Sequence, residues 1–466
     1  MPPRGFSTLE LLIAMTFAII ITSAATLVAF GEQSVALGSY TNAEALALAQ
    51  TGLSRVQTLA RQDFNLVNAT TSTVGTYAQV VEATLLPDFL TKQVTSTISW
   101  ASGRVALTTL VTNLDNVSAP DTCNSSLIGD WTQPQILNPS HAINISPDVP
   151  TGIAVRNGFA YITGVRTGSN STPDFFIVNV SDPEAPVFSN PSTPGITTGP
   201  GLAAVAVAGD YAYVANRSTA EQLQVINVEN PGSPMLATST RVVGAGGVGN
   251  AIFYYNHLVY LGLTASGAGP QLAIFDVASS TKPIPKGTYT FGHTVNAIQV
   301  KGDYAHIATA DSEELKVFDI SDPMSPQQVG GSGVLPDTTA NGKSVYVVGD
   351  TAYLGRTVGL SPNAKQLYVF DMTNPATAPL PVLGAPLDVN DSINSLLVRS
   401  SLAFLTTRTE FQVWSLSNLD SITKVGSLVL ASTTPALDCE RNTLYVGVAG
   451  PGGGGTDALK IIGPGP

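Results

Sequence analysis

The chain has 466 residues, a formal net charge of −12 and only 12% charged residues. That balance, with no cluster of Lys or Arg, argues against a nucleic-acid partner. Four scattered histidines (His141, His257, His293, His306) and two cysteines leave little material for a metal or catalytic centre. Abundant Gly and Pro suit an extracellular, mostly β protein with many tight turns.

The first thirty residues read Met1-Pro-Pro-Arg-Gly5, Phe6-Ser-Thr-Leu-Glu10, then Leu11 to Phe30 without a charge. As a helix, residues 11–30 cover ~30 Å, the hydrocarbon thickness of a bilayer. Arg4 before the span and Glu32 after it place the N-terminus in the cytoplasm and the remainder outside. A carboxylate at Glu10, on the edge of such a helix, is costly and points to a function. Gly5-Phe6-Ser-Thr-Leu-Glu10 before an apolar run resembles the processing site of type IV pilins and pseudopilins. The resemblance implies that a prepilin peptidase removes residues 1–5 by cutting after Gly5. It implies that Phe6 becomes an N-methylated terminus, and that Glu10 neutralises the amine of a neighbouring subunit during filament assembly. The alternative is an ordinary signal, for which Ser23-Ala24-Ala25 imitates a cleavage site.

Apolar positions continue at helical spacing through Val35, Leu46, Ala49, Leu53, Val56 and Ala60, which predicts one long helix over 6–62. Residues 65–117 read as a small antiparallel head. Within it, Gln93–Trp100 alternates, Ala101-Ser-Gly103 turns, and Arg104–Thr112 returns. The expected N-terminal fold is therefore α+β and pilin-like, a long helix carrying a small sheet. Residues 118–130 form a polar linker.

From about 131 to the end a repeat dominates. An apolar strand closing on a turn recurs as Phe175-Phe-Ile-Val-Asn-Val180, Leu223-Gln-Val-Ile-Asn-Val228, Leu272-Ala-Ile-Phe-Asp-Val277 and Leu315-Lys-Val-Phe-Asp-Ile320. It returns as Leu367-Tyr-Val-Phe-Asp-Met372, Phe411-Gln-Val-Trp-Ser-Leu416 and Leu459-Lys-Ile-Ile462. Six steps span the 282 residues from Val180 to Ile462, a mean period of 47. That period suits the four-stranded blades of a propeller. A hairpin precedes each copy, with Gly302-Asp303 and Gly349-Asp350 at its turn, and Asp-Pro or Asn-Pro follows most copies.

The last copy has no fourth strand after it, and Trp131–Leu137 precedes the first complete hairpin. The prediction is an all-β, seven-bladed β-propeller over 131–466, its last blade completed by residues 131–138. Cys123 lies just before that strand and Cys439 in the first strand of the seventh blade. They are expected to pair across the closure, the alternative being two free thiols. The repeat resembles that of LVIVD-repeat propellers, which occur on bacterial and archaeal surfaces. It implies the fold and says little of function.

No phosphate loop, zinc spacing or nucleophile elbow is present, so neither enzyme activity nor a cofactor or metal is expected. Asp388-Val-Asn-Asp391-Ser resembles part of a calcium loop without its closing Glu. Asp182 and Asp322 suit turn capping, and Tyr161, Tyr213, Tyr260, Tyr353 and Tyr445 suit packing between blades. The long loops 164–174, 262–270, 356–365 and 449–457 are the expected binding face. The expected function is a minor pilin-like subunit. It would sit in the cytoplasmic membrane before assembly and then display the propeller outside on a filament. Its partners would be other pilin subunits, the prepilin peptidase, and a surface, glycan or protein ligand. The alternatives are a pseudopilin of a secretion or DNA-uptake machine and a surface enzyme.

Overall fold

The computed structural model describes residues 41–59, 67–85, 91–112, 122–124, 126–165, 172–267, 269–361, 364–430, 432–449 and 455–466. They fall into two compact units, Met1–Leu114 and Asp115–Pro466.

In the first unit a helix over 41–59 covers a four-stranded antiparallel meander. Its strands are Thr70–Val74, Tyr77–Leu85, Thr91–Trp100 and Gly103–Thr112. The helix buries Ala45, Ala49 and Val56, spaced along one face. Ala45 and Ala49 meet Tyr77 and Ile98, and Val56 meets Val81, Val94 and Val111. Between them, Gly52 lets the helix approach closely. A Cβ there would lie 2.2 Å from Gln79 Nε2 and 2.8 Å from Ser96 Oγ.

The fold class expected for the N-terminus is corrected here. The described chain is nearly all β, with one helix rather than the long organising helix over 6–62 of an α+β, pilin-like fold. Among the described residues no helix is long and apolar enough to cross a membrane. The physical reason is the balance of local propensity. Thr- and Val-rich alternation from Thr70 onward selects strand, as expected for the head, and with the seven sheets that follow it outweighs the one described helix. The helix itself offers a narrow stripe of small residues that suits one sheet. The apolar span 11–30 lies outside the described residues.

Among the described residues the second unit holds seven sheets. Their innermost strands are Val149–Arg156, Leu202–Ala208, Gly249–Tyr255, Val295–Lys301, Gly342–Val348, Ser395–Arg399 and Thr433–Glu440. Each neighbours the next, and the seventh meets the first, closing a ring. The cores lie between blades. For example, Tyr161, Phe175 and Ile177 of blade 1 pack on Leu202, Val214 and Ile226 of blade 2.

The repeated third strand explains itself chemically. Its Asn or Asp accepts a hydrogen bond from the backbone two residues on: Asn179 from Ser181 N (2.9 Å), Asp319 from Ser321 N (2.9 Å), Asp371 from Thr373 N (2.8 Å). The apolar residue that follows is both buried and tied to the hairpin turn. Val180 N donates to Gly158 O and Ile320 N to Asp303 O, each at 2.8 Å. Blade 5 has only three regular strands. Pro375, Pro379, Pro381 and Pro386 interrupt its outer segment and remove ladder donors. Isolated bridges Phe370↔Val382 and Leu367↔Leu387 remain.

Asp130–Ile136 pairs antiparallel with Leu459–Gly465 and is the outer strand of blade 7. A disulfide joins Cys123 to Cys439, with Cα atoms 5.0 Å apart. Beside it, Asn124 N donates to Arg441 O (2.8 Å) and Arg441 N to Thr122 O (2.6 Å). The chain entering the ring is thus fastened to the innermost strand of its last blade.

Candidate binding site in the central channel

Each innermost strand ends at a two-residue turn. The last residues before those turns are Arg156, Ala208, Tyr255, Lys301, Val348, Arg399 and Glu440, all at one level. The turns bring them there because a residue with positive φ reverses the chain tightly, as Gly302 (φ 55) and Gly349 (φ 54) do. At this level a cavity of about 410 Å³ opens on the axis, lined from six of the seven blades. Its charged residues are Arg156, Lys301, Arg399 and Asp438, and its rings are Phe253, Tyr255 and Tyr346. Blade 2 presents only Leu-Ala-Ala-Val-Ala-Val-Ala on this strand and adds no bulk.

The cations are held in distinct ways. Arg156 Nη1 contacts Asp438 Oδ2 at 3.0 Å, while its buried Nε has no partner among the described residues. Asp438 Oδ2 also accepts from Val155 N at 2.6 Å. Arg399 donates to the hydroxyl of Tyr346 and lies 5.4 Å from that ring's centroid. Lys301 is exposed and its ammonium reaches the carbonyl of Gly349. Gln299 zips blade 4 to blade 5, accepting from Val347 N (2.6 Å) and donating to Val347 O (3.1 Å). Behind it, burial pushes the His306 imidazole down to about 4, so the ring stays neutral.

Further along the same strands sits a ring of bulges, one extra residue in each of blades 1 to 5. Thr151 donates to Leu202 O (2.5 Å), Asn250 to Val295 O (2.7 Å) and Asn296 to Gly342 O (2.6 Å), each reaching the next blade. Asn394 of blade 6 does the same toward Thr433 O (3.2 Å). Blade 5 has Lys343 instead, half-buried, without a partner among the described residues, its ammonium pKa lowered by burial.

At the ends of the blades where the second and third strands connect, polar residues are consumed by structure. Arg356, fully buried, grips Glu314 through Nε (2.7 Å) and Nη2 (2.5 Å) and donates to the carbonyls of Lys365, Pro336 and Asp337. The calcium-like stretch is likewise occupied. Asp388 meets Lys365 at 3.3 Å and Asp391 meets Arg408 at 2.5 Å. Among the described residues, no group of three or more His, Cys, Asp or Glu is arranged to hold a metal.

Of the residues singled out in the sequence, Gly5, Phe6 and Glu10 lie outside the described residues. Cys123 and Cys439 are joined. Asp182 and Asp322 accept from Glu184 N and Met324 N, each at 3.0 Å. The five tyrosines are buried, and burial pushes the phenols of Tyr161 and Tyr213 up to about 12. The channel cations were not singled out. Aligning the repeats on their turns is the signal that finds them, since Arg156, Lys301 and Arg399 each stand directly before one.

A model of the LVIVD repeat matches residues 202–242 and 292–331, the whole or nearly the whole of blades 2 and 4. No curated protein matches the chain by sequence. Among solved structures, a catalytically inactive variant of virginiamycin B lyase from Staphylococcus aureus, crystallised with quinupristin, is similar. It is 10% identical, covers 71% of this chain and 99% of its own, and has a TM-score of 0.50. Sqt1 from Saccharomyces cerevisiae is 14% identical, with 71% and 89% covered and a TM-score of 0.46. A quinonprotein alcohol dehydrogenase-like protein from Bacteroides thetaiotaomicron is also 14% identical, with 78% and 91% covered and a TM-score of 0.42. At these identities the likeness is one of fold alone. The chain carries a β-propeller with LVIVD repeats. The propeller and its disulfide are consistent with an extracellular domain.

Proposed function

We propose that this protein is an outward-facing recognition module that binds through the axis of its propeller and catalyses no reaction. The observation that carries the reading is the axial cavity, where six blades converge on one concave site. A rigid ring that presents side chains from many separate strands suits binding, because little ordering entropy is lost on contact. The long loops leave the second strands at the other end of the blades from this cavity, and none of their residues lines it. A second element of the proposal is attachment. Gly5-Phe6 and Glu10, with the apolar span 11–30, support insertion in the cytoplasmic membrane, trimming by a prepilin peptidase and incorporation as a minor subunit of a surface filament. A disulfide in the ring agrees with an oxidising compartment outside the cytoplasm.

Intact cells labelled with an antibody to residues 131–466, together with mass spectrometry of the mature N-terminus, test location and attachment. Surface label on filaments and a chain beginning at Phe6 are expected. Label only after cell lysis would refute outward display. A mature chain beginning elsewhere, or a Glu10→Leu variant incorporated normally, would refute the filament role and leave the binding reading intact.

A further inference from the structure

The seven innermost strands invert the charge of the molecule. They carry four cations, Arg156, Lys301, Lys343 and Arg399, against two acids, Asp438 and Glu440. The chain as a whole carries −12. Three of those cations line the axial cavity, and one acid, Asp438, faces them. Glu440 is occupied elsewhere, accepting from Gly158 N at 2.9 Å. Asp438 satisfies part of Arg156, and Arg156 Nε is a buried donor without an acceptor among the described residues. A buried donor left unpaired is costly, so a site holding one suits an incoming acceptor. Apart from Gln299, which is tied to Val347, the remaining lining is mostly apolar or aromatic, including Phe253, Tyr255, Ile298, Val300, Val345 and Leu397.

We propose that the axial cavity binds a small organic anion, a carboxylate or phosphate ester on an apolar or ring-shaped body. Its anionic group would be met by Arg156, Lys301 and Arg399, and its body by Phe253 and Tyr255. The inference rests on the reading of the cavity as a binding site and adds the chemical class of what it takes. The cations come from blades 1, 4 and 6, so they surround the axis rather than forming one surface stripe. Within low-dielectric walls their field is concentrated. Charge-assisted bonds to guanidinium and ammonium groups then favour an anion over a neutral molecule of the same shape.

Isothermal titration calorimetry of the full-length protein with benzoate, phenyl phosphate and phenol tests this directly. Benzoate or phenyl phosphate is expected to bind at least tenfold tighter than phenol, and less tightly as salt is raised. Whichever of the two binds better identifies the anionic group. Lys301→Gln, at an exposed position, and Arg399→Lys, which keeps the charge but loses the fork, are each expected to weaken the anion about tenfold, the equivalent of one charge-assisted bond. Phenol binding as tightly as the anions would overturn the proposal and leave a small-molecule site standing. Unchanged anion affinity in both variants would also overturn it. If none of the three probes binds to protein that melts normally, the proposal fails together with the axial site.

Discussion

Asp174→Asn tests the account of the repeat most sharply. Asp174 stands immediately before the third strand of blade 1, where blades 2, 3 and 5 have Gln222, Gln271 and Gln366. Those glutamines latch the segment that follows each blade. Gln222 accepts from Val242 N (3.0 Å), Gln271 from Phe291 N (2.9 Å) and Gln366 from Val389 N (2.9 Å). Each also donates to a nearby carbonyl, such as Gly247 O, Gly269 O or Ala364 O. Asp174 accepts from Thr198 N (2.8 Å) and Thr198 Oγ1 (3.1 Å), but as a carboxylate it has no proton to donate. It is only 2% exposed. Burial, with Asp148 nearby, pushes its carboxyl from 3.8 up to about 6. A raised acid binds its proton more tightly in the folded chain than in the unfolded one. Its contribution is therefore intact below about 4, is lost as pH rises toward about 6, and leaves a constant penalty above that. At about 1.36 kcal/mol for each tenfold, the penalty is about 3 kcal/mol. Asn keeps the acceptor, adds donors and carries no charge. Urea unfolding from pH 4 to pH 7, followed by tryptophan fluorescence, should show the two proteins alike at pH 4. The Asn variant should be the more stable by up to about 3 kcal/mol at pH 7. His306, which is destabilised by acid in both proteins, cancels in the difference. A constant gap across the range, or an Asn variant weaker at pH 7, would refute the reasoning.

Three further perturbations follow from the same contacts. Arg356→Leu strands the buried Glu314, whose own carboxyl is raised by burial, and should cost about 3–5 kcal/mol in urea unfolding. Adding Glu314→Gln, the residue that blades 2, 3 and 5 carry at this position, should recover at least half of that loss. Joint replacement of Cys123 and Cys439 by Ser opens a link between residues 316 apart, with a chain-entropy ceiling of about 6 kcal/mol. Its melting should be lower and indifferent to reductant, whereas reductant should bring the natural protein down to the same value. Lys343→Asn should restore the inter-blade clamp by donating to the carbonyl of Ile393, raising stability by about 1 kcal/mol and sharpening the melt.

What was legible in the sequence is what local chemistry decides. The repeated third strand is visible because a continuous run of four buried residues, a capping Asn or Asp and a following Pro all act within a few residues. The closing strand is visible for the same reason, since Trp131–Leu137 is strand-like and has no hairpin of its own. Other features depend on distant partners and were missed. Blade 5 loses its outer strand to four prolines that read at first as turns. The glutamine latches precede the recognised motif by one residue, and their role appears only when the loop after the blade folds back. The channel cations stand in blades 1, 4 and 6 and become neighbours only once the ring closes. At the N-terminus, of the helix expected over 6–62 only 41–59 falls among the described residues, and small residues at every third or fourth position satisfy a helix without fixing its length.

The distribution of charge links fold to function. In the blades the acids are largely spent on backbone. Hydrogen bonds to turn amides and hydroxyls hold Asp276, Asp319 and Asp371 below the usual carboxylate range, and Asp182 and Asp322 cap the turns beside them. These carboxylates stand at the ends of third strands and in the turns after them, outside the axis. The innermost strands, by contrast, need few acids, because bulge side chains and Gln299 join neighbouring blades through neutral hydrogen bonds. A net acidic ring can thereby hold a cationic axis without pairing every cation. Adding acid at the axis should be felt far more strongly than adding it at the rim. Val348→Glu, at an exposed position lining the cavity, should abolish anion binding, whereas an added Glu on an outer strand, at Val429, should leave it unchanged. Equal effects at the two positions would mean that net charge, and not its placement on the axis, governs the site.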